Sequence, residues 1–270
     1  MFKTFITLHV GWKTYRGYDV AYAGIALSCL YMTVLGFDNI TVGYAYLQGI
    51  NESLIGILMA VGAVTGLLGT IVYPIIRKRL GLERSGFVGL FAEIFTLCAC
   101  VVSVWAPGSP FDPFYLSRSR DGNITMTTDH LNHSDIGVNG FTAETVMIQT
   151  QTDMSVVTIE AESYLSIGLL LGGIVTARFG LWLTDLTISQ LFLENVKETE
   201  RGIVNGVQNA LNQLMDMFKF LLVILIPQPE FFGFLILTSF GFICLGLIFY
   251  ARYSYSARGH LFHFDKLYNY

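Results

Sequence analysis

Apolar stretches long enough to cross a bilayer recur six times along the chain, separated by short polar segments and one long polar segment. A helical crossing needs about 20 mostly apolar residues. The six stretches cover residues 20–48, 53–76, 85–106, 164–192, 203–226 and 231–253. This pattern predicts an all-α polytopic membrane protein with six transmembrane helices, the first of them interrupted near Asp38.

Composition supports a membrane protein and excludes other classes. Of the 270 residues, 53% are hydrophobic and 13% are charged, whereas about a quarter of the residues of a soluble domain are charged. The net charge of −4 and the scattered basic residues give no indication of nucleic-acid binding. Residues 1–19 mix basic and aromatic side chains without the apolar core or cleavage site of a signal peptide. We therefore expect a cytoplasmic segment that lies at the membrane interface.

The distribution of Lys and Arg predicts the orientation. An even number of spans places both termini on one side, and cytoplasmic loops carry an excess of basic residues. Only Arg118 and Arg120 fall on the opposite side. The basic residues on the side of the termini are Lys3, Lys13, Arg16, Arg77, Lys78, Arg79, Arg84, Lys197, Arg201, Arg252, Arg258 and Lys266. Both termini, including the tail 254–270, are therefore expected in the cytoplasm.

The long polar segment 107–162 is then an extracellular loop. It is rich in Thr, Asn and Asp and shows neither a helical nor a strand period, which is typical of a disordered segment. It contains two Asn-x-Ser/Thr sequences, at Asn123 and Asn132. We expect glycans at both positions.

Ionisable residues inside the apolar stretches are the first candidates for a functional site, because a charge in the bilayer is costly unless it is paired or solvated. Asp216 and Lys219 are three residues apart and can pair directly, either to neutralise each other or as part of a pathway. Arg178 and Asp185 are two helical turns apart on one face, too far for a direct pair. Glu93 is expected to reach the membrane interface. The full set is Asp38, Glu93, Arg178, Asp185, Asp216 and Lys219.

Asp38 differs from the others because its neighbours favour a break in the helix. Gly36, Asn39, Thr41 and Gly43 surround it. Broken helices near the bilayer midplane expose backbone carbonyls and helix ends that coordinate ions. Asp38 could equally cap the second half-helix. The two roles are compatible.

Enzyme motifs are absent, and transport is the favoured class. An intramembrane aspartyl protease needs Gly-x-Gly-Asp and Tyr-Asp elements, whereas Asp38, Asp185 and Asp216 lie in LGFD, WLTD and QLMD. The sequence also lacks HExxH and Gly-x-Ser-x-Gly. No cofactor is indicated. The small-residue pairs Gly62/Gly66 and Gly168/Gly172 predict close helix packing.

Five collinear stretches resemble ferroportin, the iron exporter family of solute carrier family 40. They are YMTVLGFDNITVGYAYLQG (31–49), ILMAVGAVTGLLGT (57–70), VVSVWAPGSP (101–110), ARFGLWLTDLTISQL (177–191) and ENVKETERGIVNGVQNALN (194–212). The resemblance covers nearly the whole chain apart from the long loop. It corresponds to the C-terminal six-helix half of a twelve-helix, major-facilitator-like fold.

The resemblance implies export of Fe²⁺ across the plasma membrane by alternating access between two six-helix halves. In the family, a Cys in the broken helix and a His on the fifth helix bind metal, and these positions here are Asn39 and Lys219. An amide is a poor replacement for a thiolate, so metal binding by Asp38 and Asp216 would be weak. That Cys also docks the hormone hepcidin in vertebrate members, and Asn39 argues against such regulation here. Among the other positions that match, Arg201 would close the cytoplasmic gate, although it could equally be a positive-inside anchor.

Two other interpretations remain open. The cargo could be another divalent cation, or a solute moved by proton coupling through Asp38, Asp216 and Lys219. The chain could also be an inactive, incomplete transporter that lacks an N-terminal half.

Overall fold

The computed structural model describes residues 2–111 and 164–258, and within them all regular secondary structure is helical. The predicted all-α fold is confirmed. A short 3₁₀ turn, Pro229–Phe231, precedes the last helix. The α-helices are α1 (Phe2–Arg16), α2 (Ala21–Tyr31), α3 (Asn39–Leu47), α4 (Glu52–Leu80), α5 (Leu82–Ser103), α6 (Leu165–Asn195), α7 (Arg201–Leu225) and α8 (Phe232–Arg258). The predicted sequons at Asn123 and Asn132, most of the loop 107–162 and residues 259–270 lie outside the described residues.

The expectation of six comparable spans is only partly correct. Among the described residues, four helices are long and apolar enough to cross a membrane: Glu52–Leu80, Leu82–Ser103, Leu165–Asn195 and Pro229–Ala257. The first predicted span consists of two short helices, α2 with 11 residues and α3 with 9, joined by a non-helical segment. The fifth predicted span, α7, is a single helix of 25 residues. It is long enough to cross a membrane but is more polar than the four helices named above.

The polarity of α7 is confined to one face. Its buried residues include Gln208, Asn212 and Lys219. Its outward face carries exposed apolar side chains, namely Leu214, Met217, Phe218, Phe220, Leu221, Ile224 and Leu225. On the polar face, Asn205, Asn209 and Gln213 are exposed. A helix with an apolar face and a polar face that is only partly buried suits a position between lipid and a polar interior.

The α5–α6 pair forms the most extensive helix contact, and glycines allow the two backbones to approach. A Cβ added at Gly180 would lie 2.6 Å from the Glu93 backbone nitrogen and 2.7 Å from the Gly89 carbonyl oxygen. Small residues at such positions drive helix association where the hydrophobic effect is absent. The prediction for Gly168 and Gly172 is wrong, because an added Cβ there meets no atom of the described chain within 4 Å.

The other predicted pair of glycines, Gly62 and Gly66, does lie in a helix contact. Gly66 faces the Trp182 ring and Gly62 faces the Phe37 ring, at 2.7 and 3.2 Å from the nearest atoms to an added Cβ. One turn further along α4, Gly69 approaches the Phe179 carbonyl at 2.7 Å. These glycines therefore accommodate α6, and at Gly62 also the segment before α3.

The buried apolar residues form two clusters at different levels of the bundle. One contains Leu35, together with residues of α3, α5, α6 and α8. The other contains Leu27 and Leu30 of α2 with Tyr15 of α1 and residues of α5 to α8. The break between α2 and α3 lies at the transition from one cluster to the other, which is where the candidate site is found.

Candidate functional site

The break between α2 and α3 is held by side chains that satisfy its backbone groups. The Val34 amide donates to Ser239 Oγ of α8 at 3.0 Å, and Thr41 Oγ1 donates to the Val34 carbonyl. Asp38 precedes α3 in an extended conformation and its Oδ1 accepts from the Thr41 amide at 3.3 Å, as a helix N-cap does. Non-helical backbone at membrane depth requires such partners.

Asp38 also reaches across to α7. Lys219 Nζ lies 3.0 Å from Asp38 Oδ2 and 2.6 Å from Asp216 Oδ1. The predicted pairing of Lys219 with Asp216 is therefore confirmed, and Asp38 is a second partner of the same ammonium. Two carboxylates share one ammonium, so the group, the Asp38–Lys219–Asp216 trio, keeps one excess negative charge when all three are ionised. The Lys219 ammonium also lies 4.9 Å from the centre of the Phe220 ring, a favourable cation–π distance.

A cavity of about 280 Å³ opens beside the trio. The Asp38 and Asp216 side chains are 27% and 34% exposed, so the cavity opens to the outside of the bundle. The structure thus brings together five of the six intramembrane ionisable residues in one wall, with mostly apolar neighbours. The charged lining residues are Asp38, Arg178, Asp185, Asp216 and Lys219.

Arg178 and Asp185 occupy the α6 side of this cavity. The Arg178 guanidinium lies 5.9 Å from the centre of the Phe37 ring, next to Asp38 in sequence. Among the described residues no ion pair joins Arg178 to Asp185, as their seven-residue separation predicts. The two side chains therefore add charges of opposite sign to the same wall without cancelling in a direct contact.

The sixth intramembrane residue does not belong to this wall. Glu93 is buried, with 3% of its surface exposed, in the middle of α5. The expectation that it reaches the membrane interface is wrong, because the close α5–α6 contact at Gly180 encloses it.

The trio does not form a metal site as it stands. Asn39, the first residue of α3, is exposed and is not among the residues that line the cavity. No group of three or more His, Cys, Asp or Glu residues able to hold a metal occurs in the part of the chain that the structure describes. Lys219 occupies both carboxylates that could contribute.

A polar network next to the cavity was not predicted from the sequence. Tyr15 donates from its hydroxyl to Gln208 Oε1 at 2.6 Å, and Gln208 Nε2 donates to Asn212 Oδ1 at 2.8 Å. Ser28 Oγ donates to Asn212 Oδ1 at 2.8 Å. The network ties α1 and α2 to α7. A signal was present, because Gln208, Asn212 and Asp216 recur every four residues and so share one helical face.

At the start of α7, Arg201 contacts the end of α6. Its Nη2 donates to the Leu193 carbonyl at 3.0 Å. Its Nε is buried and has no hydrogen-bond partner within the described residues. The neighbouring Glu200 accepts a hydrogen bond from the Tyr18 hydroxyl. That hydrogen bond raises the pKa of Tyr18.

The described residues form an all-helical bundle with four helices long and apolar enough to cross a membrane, which is typical of a multi-pass membrane protein. The chain belongs to the ferroportin1 (FPN1) family, whose model matches residues 1–243. It is 44% identical over 261 residues to solute carrier family 40 member 1 of Danio rerio and 42% identical over 267 residues to ferroportin of Homo sapiens. These matches cover 94% and 96% of this chain but 45% and 46% of the relatives. The chain spans less than half the length of the curated relatives it matches.

Solved structures show the same fold at lower identity. The chain superimposes on a bacterial homologue of the iron transporter ferroportin in an outward-facing state with soaked iron, with a TM-score of 0.62 and 20% identity. The inward-facing state of a bacterial homologue gives the same TM-score and identity. These matches cover 87% of this chain and 46% and 45% of the bacterial chains.

Proposed function

We propose that this chain forms the C-terminal half of a ferroportin-type exporter of Fe²⁺, with Asp38, Asp216, Arg178 and Asp185 along the ion pathway. The observation that carries the proposal is the cavity at the α2–α3 break, which collects five ionisable residues. Membership of the ferroportin1 family supports the export proposal. The matches cover 45% and 46% of the relatives, which supports assignment of the chain to one half. The protein acts as a carrier and not as an enzyme, and iron is its substrate and not a resident cofactor.

In this proposal Lys219 limits how strongly this half holds the ion. An ammonium between two carboxylates repels a divalent cation, while the excess negative charge still attracts cations into the cavity. The C-terminal half would thus guide Fe²⁺ past a weak site, and an opposing N-terminal half would supply the remaining ligands. Because Asn39 has no thiol, we do not expect regulation by a hepcidin-type peptide.

Cysteine reactivity tests whether the cavity is a cation pathway. In a Cys98→Ser background, which removes an exposed thiol, Thr33→Cys places a reporter on the cavity wall. We expect a cationic, membrane-impermeant thiosulfonate to react roughly tenfold faster there than an anionic one, because charged clefts concentrate counter-ions. Asp38→Asn should remove this preference.

Thr199→Cys is the matched control, since Thr199 is exposed in the segment between α6 and α7, outside the apolar spans and outside the cavity. It should show no preference for the cationic reagent and no response to Asp38→Asn. Equal rates of both reagents at Thr33→Cys would contradict the proposed pathway.

We also propose that Arg201 is part of the cytoplasmic gate. Its guanidinium carries a fixed positive charge at the start of α7, where Nη2 contacts the end of α6, and a carboxylate of an opposing half would pair with that charge. In a complete two-half transporter, Arg201→Ala should favour the inward-open state and raise the labelling of a Lys197→Cys reporter at the cytoplasmic mouth. Arg201→Lys retains the charge without the forked geometry and should give an intermediate effect. Unchanged labelling in both variants would contradict a role in the gate and would mean that Arg201 only contacts the end of α6.

The orientation proposed for this function places the protein in the plasma membrane with both termini in the cytoplasm. We expect Asn123 and Asn132 to be glycosylated during synthesis in microsomes. A sequon introduced beside Arg79 should remain unmodified. The opposite result, with glycan only near Arg79, would reverse the topology.

A further inference from the structure

The contact between α5 and α6 contains a row of polar side chains that is separate from the cavity. At one end Ser85 Oγ and Thr187 Oγ1 are 3.2 Å apart, and at the other Ser166 Oγ donates to the Ser103 carbonyl at 2.7 Å. These contacts show that the two helices run antiparallel. The polar groups at both ends of the row have partners within the contact.

Two polar side chains between these ends have no partner. Glu93 Oε2 and Thr184 Oγ1 are both buried without a hydrogen bond in the described part of the chain. Glu93 is 3% exposed and Thr184 is 0% exposed. Each such group costs about 1–3 kcal/mol when it is left unpaired. The two oxygens do not bond to each other in this structure, but they lie in the same α5–α6 contact.

Glu93 and Thr184 lie at neighbouring levels of the α5–α6 contact. Thr184 lies opposite Gly89, with Oγ1 2.5 Å from an added Cβ there, and Glu93 lies opposite Gly180, with its Cβ 2.8 Å from an added Cβ there. Gly89 and Glu93 are one turn apart on α5, as Gly180 and Thr184 are on α6. Side chains on a helix lean toward its N-terminus. In an antiparallel pair Glu93 therefore leans toward the level of Thr184, and Thr184 leans toward the level of Glu93.

No charge in the surroundings compensates an ionised Glu93. Within residues 2–111 and 164–258 Glu93 forms no ion pair. Arg178 and Asp185 of α6 line the cavity, Arg77 of α4 pairs with Glu194 at 2.6 Å, and the Tyr250 hydroxyl of α8 donates to the Glu83 carbonyl. The remaining titratable residues on the helices packed against α5 are Glu52, Tyr73, Lys78 and Arg79 of α4, and Cys244, Arg252, Tyr253, Tyr255 and Arg258 of α8.

We propose that Glu93 and Thr184 form a proton-binding site buried between α5 and α6. The Glu93 carboxyl holds a proton, so that no unpaired charge is buried in the contact. A rotation of the Glu93 side chain lets this proton be donated to Thr184 Oγ1, which no other hydrogen bond occupies in the described residues. Release of this proton places a negative charge at mid-helix and favours separation of α5 from α6. The site does not involve the Asp38–Lys219–Asp216 trio and does not depend on iron.

Infrared spectroscopy of the purified chain in lipid nanodiscs tests the site without a transport assay. Glutamate labelled with ¹³C at the side-chain carboxyl separates its bands from those of Asp. We expect a protonated carboxyl band at neutral pH, where exposed glutamates with a pKa of about 4.3 are ionised. Glu93→Gln, which mimics the neutral acid, should abolish the band and retain the helical content.

Thr184→Val removes the acceptor at nearly constant volume and should shift this band in frequency. It should also keep the band to higher pH than in the parent, because the hydroxyl can stabilise the ionised carboxylate by donating to it. Thr176→Val is the matched control, since Thr176 Oγ1 donates to its own helix at the Gly172 carbonyl at 2.9 Å, and it should leave the band unchanged.

Three results would overturn the proposal. They are the absence of a protonated glutamic acid band in the labelled parent at neutral pH, survival of that band in Glu93→Gln, and identical bands in Thr184→Val and Thr176→Val. The first needs no substitution, so the test does not depend on whether a variant folds.

Discussion

Replacing Lys219 by His together with Asn39 by Cys is expected to create a binding site for cobalt or manganese that the parent chain lacks. Lys219 Nζ lies 3.0 and 2.6 Å from the two carboxylates. A unit charge repels another at 4 Å by about 4 kcal/mol in a partly screened site. Removal of the ammonium therefore releases both aspartates and eliminates this repulsion, and the imidazole adds a nitrogen ligand in its place. The thiolate, at an exposed position next to Asp38, adds a ligand for cobalt that approaches from the exposed side of Asp38.

The expected gain is on the order of 100-fold or more in affinity, which corresponds to about 2.7 kcal/mol. Isothermal calorimetry in detergent measures it. Lys219→Met separates the loss of repulsion from the gain of ligands, because it removes the charge without adding a ligand. This variant should bind metal with intermediate affinity. Equal binding by the parent and the double variant would mean that the ammonium does not control the site.

The second large effect concerns the 270-residue chain by itself, which we expect to carry no iron across a membrane. Alternating access moves one half of the fold against the other around a site between them. Here the cavity opens to the outside of the bundle, with the Asp38 and Asp216 side chains 27% and 34% exposed. Without an opposing wall these side chains would face lipid, at a cost of several kcal/mol for an unpaired charge.

A symmetric dimer is the alternative way to close this cavity. Two copies would supply both walls, but each would bring the same Lys219. The two ammonium groups would then face one pathway, which disfavours a divalent cation. An opposing half with different residues is therefore the arrangement that we expect to support transport.

The sequence predicted the charged cavity better than it predicted the packing around it. Asp38, Asp216 and Lys219 could be identified because charge inside an apolar stretch is conspicuous, and the three-residue spacing on α7 allowed their pairing. The start of the break was not predictable. Residues 32–35 are mostly apolar, yet their backbone leaves the helix. The Val34 amide binds Ser239, 205 residues further along the chain, and the Val34 carbonyl binds Thr41 beyond the break.

Helix contacts show the same limit. Gly168 and Gly172 have the spacing that predicts packing, but the glycines that meet α5 are Gly173 and Gly180. Spacing defines a face and not the direction in which that face points. The misplacement of Glu93 has the same cause, because its burial depends on the position of α6 more than 70 residues further along the chain.

The most direct test of the account is iron flux into proteoliposomes that contain a trapped fluorescent chelator. Addition of Fe²⁺ should not quench the chelator's fluorescence when the proteoliposomes contain the purified chain alone. Quenching should appear, with saturation by Fe²⁺, when the chain is reconstituted with an N-terminal ferroportin half, and should be reduced by Asp38→Asn. Competition by cobalt or manganese in the same assay reports on the alternative cargoes. Saturable, protein-dependent flux from the chain alone would contradict the account and favour a symmetric dimer, and absence of flux with the opposing half present would contradict the proposed export of iron.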